Sequence, residues 1–126
     1  MKRREIAAVL AYRPSEANQN AGDARMNDVI GIAWYKDEHT YRRALAIFTD
    51  SHNMPATYED WKAIVGRQCE EIKRVGNIGI RADIDPETFI DWCNRHGSRA
   101  DSQGRTAFVT HVEIEYQRTG KGTVIE

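Results

Sequence analysis

The sequence predicts a small α/β domain whose elements follow the order strand, helix, helix, strand, helix, helix, around a sheet of two or three strands. Two observations predict this class: a long amphipathic helix over residues 57–75, and short apolar segments with strand character before and after it. The chain has 126 residues, which is enough for one domain with a buried core and no metal or disulfide to support it.

A continuous apolar run over residues 29–35 opens the domain, and a run of this length is typical of a strand buried on both faces. Apolar residues then recur at spacings of three and four, which places them on one side of a helix over residues 37–50. The residues with this spacing are Tyr41, Ala44, Leu45 and Phe48. The segment 51–55, which ends in a proline, terminates this helix.

The helix over residues 57–75 has the strongest pattern in the chain. Thr57 can cap its N-terminus with Asp60 at the third position, a variant of the capping box. Gly76 offers the left-handed conformation in which helices commonly end. The apolar positions recur every three or four residues, and they are Tyr58, Trp61, Val65, Cys69, Ile72 and Val75.

A second strand is predicted over residues 78–84, where apolar and other residues alternate with the period of a strand that has one buried face. Asp85, Pro86 and Glu87 follow as an N-cap, a proline at the first helical position and an acid in the first turn. These residues predict a helix that ends at Gly97.

The last element has two interpretations. Alternation and β-branched residues favour a strand through Phe108, Thr110, Val112, Ile114 and Tyr116. A partly apolar helix face also fits, through Ala107, Phe108, His111, Val112 and Glu115.

A set of residues spread over most of the chain forms a recognisable pattern: Ile32-Ala-Trp-Tyr35, Asp50, Thr57-Tyr-Glu-Asp-Trp61, Asp85, Trp92-Cys93, Arg105 and Phe108. Together they resemble a family of short, uncharacterised bacterial proteins, over about residues 30–108, and the resemblance implies no activity. Members of that family begin close to the Trp-Tyr run and finish in a helix that starts near the position of Asp101. The resemblance therefore implies that Met26 is the natural start, and that the last element is a helix.

Three regions follow from these patterns. Residues 1–27 form an N-terminal tail, or a short strand over residues 5–12 with a linker rich in loop-forming residues. Residues 28–117 form a single globular α/β domain. Residues 118–126, which contain two glycines, form a mobile C-terminal tail.

A sheet of two strands is rarely stable alone, so the predicted sheet requires a further strand. Three sources are open: residues 5–12, the final segment if it is a strand, or a second copy of the chain. We expect a homodimer, because an open strand edge otherwise invites uncontrolled pairing.

Charge and composition argue against two classes of partner. Residues 28–117 carry eleven Lys and Arg against fifteen Asp and Glu, a net charge of −4, whereas phosphate binding needs a basic surplus. Nucleic acid is therefore not the expected partner, and no segment of the sequence is long and apolar enough to span a membrane. Cys69 and Cys93 fall on apolar helix positions, as expected for reduced thiols in a cytoplasmic protein.

The carboxyl ends of the two predicted strands form the candidate ligand site, because open α/β sheets bind ligands at that edge and helix N-termini point toward it. Five residues are expected there: Trp34, Tyr35, His39, Asp83 and Asp85. They could hold a small cationic or hydroxyl-bearing ligand, or perform general acid–base chemistry. Structural roles explain them better: Trp34 and Tyr35 as core or interface anchors, Asp85 as a helix cap, and Asp83 as a solvated strand residue.

No metal or cofactor site is predicted. Cys93 and His96 are three residues apart on one helix, but a zinc site needs three or four ligands. The other histidines and Cys69 have no paired spacing that would supply them. The glycines form neither a phosphate loop nor a dinucleotide-binding fingerprint.

The expected function is a small protein-interaction or accessory module that associates with itself through exposed aromatic residues. The alternative is an enzyme or small-ligand-binding protein that uses the strand-end residues. Convergence of those side chains in one concave pocket favours the second function, and their dispersal or burial argues against it.

Overall fold

The computed structural model describes residues 28–126 and confirms the α/β class. The predicted strand over residues 5–12 and the predicted start at Met26 lie outside the described residues. Within residues 28–126, no helix combines the length and the apolar character needed to cross a membrane. The elements in chain order are β1 (Val29–Trp34), α1 (Glu38–Ile47), a 3-10 turn (Ser51–Asn53), α2 (Tyr58–Arg74), β2 (Ile78–Asp83), α3 (Pro86–Arg95), α4 (Ser102–Thr119) and β3 (Thr123–Val124).

Helix α2 begins and ends where the sequence predicts. The hydroxyl of Thr57 accepts a hydrogen bond from the backbone N–H of Asp60 at 3.0 Å, which caps the N-terminus. Gly76 follows the C-terminus with φ of 86°, a left-handed conformation that glycine adopts without steric cost. The buried face of the helix carries Trp61, Val65 and Ile72.

The sheet is parallel in one half and antiparallel in the other. Strands β1 and β2 run parallel, with Val29 opposite Ile78 at one end and Trp34 opposite Asp83 at the other. Strand β3 pairs antiparallel with the other edge of β2. The central strand of the described sheet is therefore β2.

The third strand comes from a region that we expected to be a mobile tail, residues 118–126. Helix α4 continues to Thr119, and Gly120 with φ of 78° reverses the chain so that it returns along β2. The N–H of Ile125 then donates to the backbone oxygen of Gly79 at 2.8 Å. The third strand is therefore Thr123–Val124. We had expected it to come from residues 5–12, from the final segment or from a second copy of the chain.

Helices α2 and α4 cover opposite faces of the sheet. A Cβ placed on Gly31 of β1 would come within 2.8 Å of the Val109 side chain in α4. A Cβ placed on Gly79 of β2 would lie 3.8 Å from Ile72 in α2. Gly31 is opposite Ile80, the residue after Gly79, and successive strand residues face opposite sides, so the two glycines mark opposite faces. The sheet is therefore the middle of three layers.

The last element is a helix, as we expected from the resemblance, and the strand alternation is misleading. Asp101 caps α4 by accepting hydrogen bonds from the backbone N–H groups of Gln103 and Gly104. The buried residues of α4 include Arg105 and Val109, which are one helical turn apart. The period of burial is that of a helix because this face packs on β1.

A buried ion pair joins α4 to the segment after α1. Arg105, 1% exposed, donates from both terminal nitrogens to the carboxylate of Asp50 at 3.0 and 2.8 Å. Asp50 also accepts from the N–H of Ser102 at 3.0 Å, and the Arg105 guanidinium lies 4.5 Å from the ring centre of Phe48. Burial raises the pKa of Asp50, but the hydrogen bonds and charge of Arg105 outweigh it and lower the pKa overall. Asp50 and Arg105 therefore have a structural role.

Candidate functional site

The carboxyl ends of β1 and β2 lie side by side. Trp34 and Asp83 are register partners at the last position of the parallel ladder. The chain leaves β1 for α1 through the N-cap Asp37, and leaves β2 for α3 through the N-cap Asp85. Two helix N-termini therefore flank the strand ends, which is the usual setting of ligand sites in open α/β sheets.

A cleft of about 380 Å³ opens at this edge, a volume in the range of small-molecule sites. We call it the strand-end cleft. Its walls come from the strand ends and from the first turns of α1 and α3. The lining residues are Trp34, Lys36, Asp37, His39, Thr40, Arg43, Arg81, Asp83, Ile84, Asp85 and Pro86.

Four of the five residues that the sequence places at this edge line the strand-end cleft: Trp34, His39, Asp83 and Asp85. Tyr35 does not line it, because its side chain is fully buried among the rings of Tyr41, Phe48 and Trp61. Consecutive side chains of an extended segment point to opposite sides, and here the Tyr35 ring turns into the core although both rings contact Trp61. Tyr35 is therefore a core residue, which is the structural role that the sequence also allowed.

The three aspartates of the cleft are each held by a hydrogen bond to one carboxylate oxygen. Asp37 accepts from the Thr40 N–H at 2.8 Å, and hydrogen bonds from the Thr40 side chain and from this N–H lower the pKa of Asp37. Asp85 accepts from the Glu87 N–H at 3.0 Å. Asp83 is bonded to an arginine of its own strand. A carboxylate has two oxygens and several acceptor positions, so each aspartate keeps acceptor capacity for a ligand.

Two of the three cationic side chains of the cleft, Arg81 and Arg43, are bonded to carboxylates. Arg81 donates to Asp83 at 2.9 Å, and its guanidinium lies 5.4 Å from the ring centre of Trp34. Arg43 of α1 pairs with Glu87 of α3. The lining contains three carboxylates, three Lys or Arg side chains and one histidine, so opposite charges nearly balance. The cleft therefore offers both donors and acceptors, with no strong preference for one charge.

The sequence pattern missed several residues of the cleft, chiefly Asp37, Thr40 and Arg81. Asp37 was assigned to the helix that it caps, and a capping residue after a strand end was the available signal. Arg81 lies two residues before Asp83, so both side chains fall on the same face of β2. The spacing of Arg81 and Asp83 was visible in the sequence. It indicates a place in the cleft only once Trp34 is known to lie beside Asp83.

The Cys93 and His96 pair does not form a joint site. The Cys93 thiol is buried and lies 3.6 Å from the backbone oxygen of Arg99, whereas the His96 ring is exposed and stacks on Trp92. Burial raises the pKa of the Cys93 thiol, which disfavours the thiolate that metal ligation or nucleophilic attack would need. Among residues 28–126, no group of three or more His, Cys, Asp and Glu side chains is placed to hold a metal ion.

Comparisons with known proteins found no matching family model, no matching curated protein and no matching solved structure. The case for a function therefore depends on the geometry of the strand-end cleft.

Proposed function

We propose that the protein binds a small polar molecule in the strand-end cleft. The observation that carries the proposal is the convergence of Trp34, His39, Asp83 and Asp85 in one concave site at the carboxyl ends of two paired parallel strands. The four residues belong to β1, α1, β2 and the N-cap of α3, and the parallel pairing of β1 with β2 brings these elements to one edge. Such convergence of polar groups is the feature that separates a ligand site from a solvated surface.

The chemistry of the cleft favours a ligand that carries hydroxyl or ammonium groups. Carboxylate oxygens of Asp83 and Asp85 accept hydrogen bonds, and they do so more strongly from ammonium than from neutral donors. His39 can donate or accept, and the half-buried Trp34 gives an apolar surface for the carbon skeleton. Because the opposite charges of the lining nearly balance, a simple phosphate or a simple metal cation is not the expected ligand.

A thermal-shift screen tests the proposal with polyols, monosaccharides, amino alcohols and small amines as probes, and calorimetry then measures the Kd of each hit. Asp83→Asn keeps the size of the side chain and removes its charge, so it should weaken binding about tenfold or more. Asp91→Asn is the matched control, because Asp91 is exposed on α3 and is not part of the lining. Its Kd should equal that of the wild type.

A screen without any saturable hit would contradict the proposal, and so would a hit whose Kd is the same in Asp83→Asn. Incubation of a hit with the protein, followed by NMR of the small molecule, separates a binding protein from an enzyme. A changed ligand spectrum that depends on His39 would assign general acid–base chemistry to the cleft.

Self-association is a second candidate, and the observation that favours it is Ile114, which is 54% exposed on α4. The stability of the sheet no longer supports it, because β3 gives β2 a second partner from the same chain. Light scattering after size-exclusion chromatography measures the mass directly. A dimer that dissociates in Ile114→Ser would support this candidate, and a monomer at high micromolar concentration would contradict it.

A cytoplasmic setting is also part of the proposal. It is supported by Cys69 and Cys93, which are free thiols, one half-buried and one in the core. Fractionation of cells that produce the protein would test it, and recovery outside the cytoplasm would contradict it.

A further inference from the structure

A second cluster of titratable side chains lies away from the strand-end cleft, where the end of α3 packs beside α4. His96 is the C-cap residue of α3, and its ring centre lies 6.1 Å from that of His111 on α4. The ring of Trp92 stacks on His96 at 4.1 Å and lies 5.8 Å from His111. Both histidines are exposed, so the pair is open to solvent.

The hydrogen bond of His96 fixes which of its nitrogens is free. Its Nδ1 lies 2.8 Å from the backbone oxygen of Trp92. A carbonyl oxygen only accepts, so Nδ1 carries the hydrogen, and in the neutral ring the lone pair is on Nε2. Metal-binding histidines are characteristically held in this way, with the second ring N–H donated to a carbonyl or carboxylate.

The separation of the two rings matches that of imidazoles which share one metal ion. A metal–nitrogen bond of about 2.0–2.1 Å places two such ring centres roughly 5 to 6.5 Å apart, depending on the angle at the metal. The 6.1 Å between His96 and His111 falls in this interval. Two basic residues of these helices are each paired with an acid, Arg95 of α3 with Asp91 and Arg118 of α4 with Glu115.

We infer that His96 and His111 form a two-histidine site for a divalent transition metal, with Cu²⁺ bound most tightly. Nitrogen ligands favour Cu²⁺ over Ni²⁺ and Zn²⁺, and imidazole has little affinity for Mg²⁺ or Ca²⁺. Two protein ligands leave the other coordination positions to water or to a small external ligand. This inference is independent of the strand-end cleft, because it uses no residue of that lining.

Fluorescence of the full chain tests the inference, because Cu²⁺ bound beside the Trp92 ring should quench it. Titration with copper sulfate at pH 7.5 should give saturable quenching with one ion per chain. Nickel and zinc chlorides should compete for the site, and magnesium chloride should not. The affinity should fall as the pH is lowered, because protons compete with the metal ion for imidazole nitrogens.

His96→Gln and His111→Gln should each weaken Cu²⁺ binding at least tenfold, while His52→Gln, in the 3-10 turn, should leave the affinity unchanged. Circular dichroism checks that each variant is folded, and calorimetry gives a second measure of stoichiometry. Unchanged affinity in folded His111→Gln would overturn the inference, because the ion would then bind elsewhere, for example at the chain terminus. Quenching that never saturates would overturn it as well.

Discussion

The buried ion pair between Asp50 and Arg105 gives the sharpest test of the fold. The Arg105 side chain is 2% exposed and that of Asp50 is 18% exposed, and two short bonds join them. Asp50→Asn keeps the shape of the side chain but removes the negative charge to which the buried guanidinium is bonded. Removal of one partner of a buried pair costs about 3–5 kcal/mol. Because water reaches part of Asp50, we expect a loss of about 3 kcal/mol in the free energy of unfolding.

The contribution of this ion pair to the free energy of unfolding should decrease at low pH. The pKa of Asp50 is lower in the folded chain than its ordinary value, so the ion pair contributes stability above the unfolded pKa of about 3.9. That contribution is lost as the pH falls through the folded pKa. The difference between the wild type and Asp50→Asn should therefore be full at pH 7 and should shrink below pH 4.

Equilibrium urea unfolding, followed by circular dichroism from pH 7 to pH 3 at constant ionic strength, measures this difference. Asp91→Asn is the matched control, because Asp91 and Arg95 form an exposed pair with side chains 71% and 62% exposed. Such a pair contributes about 0–1 kcal/mol. The reasoning is refuted if Asp50→Asn costs no more than Asp91→Asn, or if its cost is the same at pH 7 and pH 3.

Three further predictions concern packing and burial. Gly104→Ala should lower the free energy of unfolding by about 3 kcal/mol in urea titrations, since the new Cβ would lie 1.9 Å from the Arg99 oxygen. A Cβ on Gly66 would meet no atom within 4 Å, so Gly66→Ala should raise the free energy of unfolding by about 0.5–1 kcal/mol. Equal effects of Gly104→Ala and Gly66→Ala on this free energy would contradict the packing. Burial raises the pKa of Glu113, so the ionised carboxylate lowers the stability of the folded chain at pH 7. Glu113→Gln removes this charge and should raise the Tm at pH 7, whereas the gain should vanish near pH 4. An equal gain in Tm at both pH values would contradict this reasoning. Tyr35→Phe should not lower the free energy of unfolding by more than about 0.5 kcal/mol, because the hydroxyl has no hydrogen-bond partner among residues 28–126; a loss above about 1 kcal/mol would reveal one.

The elements that the sequence predicted well are those with local causes. The cap at Thr57 and the stop at Gly76 bracket α2, and both act within one turn of the helix end. Pro86 behind its N-cap likewise places the start of α3. Each of these signals depends on backbone groups a few residues away, so no knowledge of the tertiary structure was needed to interpret them.

The elements that the sequence predicted poorly depend on distant partners. Strand β3 has two residues, and only its pairing with Ile80 and Arg81 makes it a strand. Apolar residues alternate along α4, but this alternation does not determine which side chains are buried. The buried residues are those on the helix face that packs against β1. Gly31 permits that close approach, and its N–H donates to the Glu113 carboxylate at 2.7 Å. Contacts of this range leave no periodic mark in a single sequence.

The strand-end cleft and the His96–His111 pair also differ in how far the sequence could predict them. The strand-end cleft was accessible from the sequence because parallel strands bring their carboxyl ends to one edge, so residues after each strand meet without further information. Alternation along an extended segment separates Trp34 from Tyr35, but the sequence did not show which of the two side chains would enter the core. His96 and His111, by contrast, are joined only by the packing of α3 against α4. A difference in metal affinity between His111→Gln and His52→Gln would therefore test the packing of these two helices as well as the site that it creates.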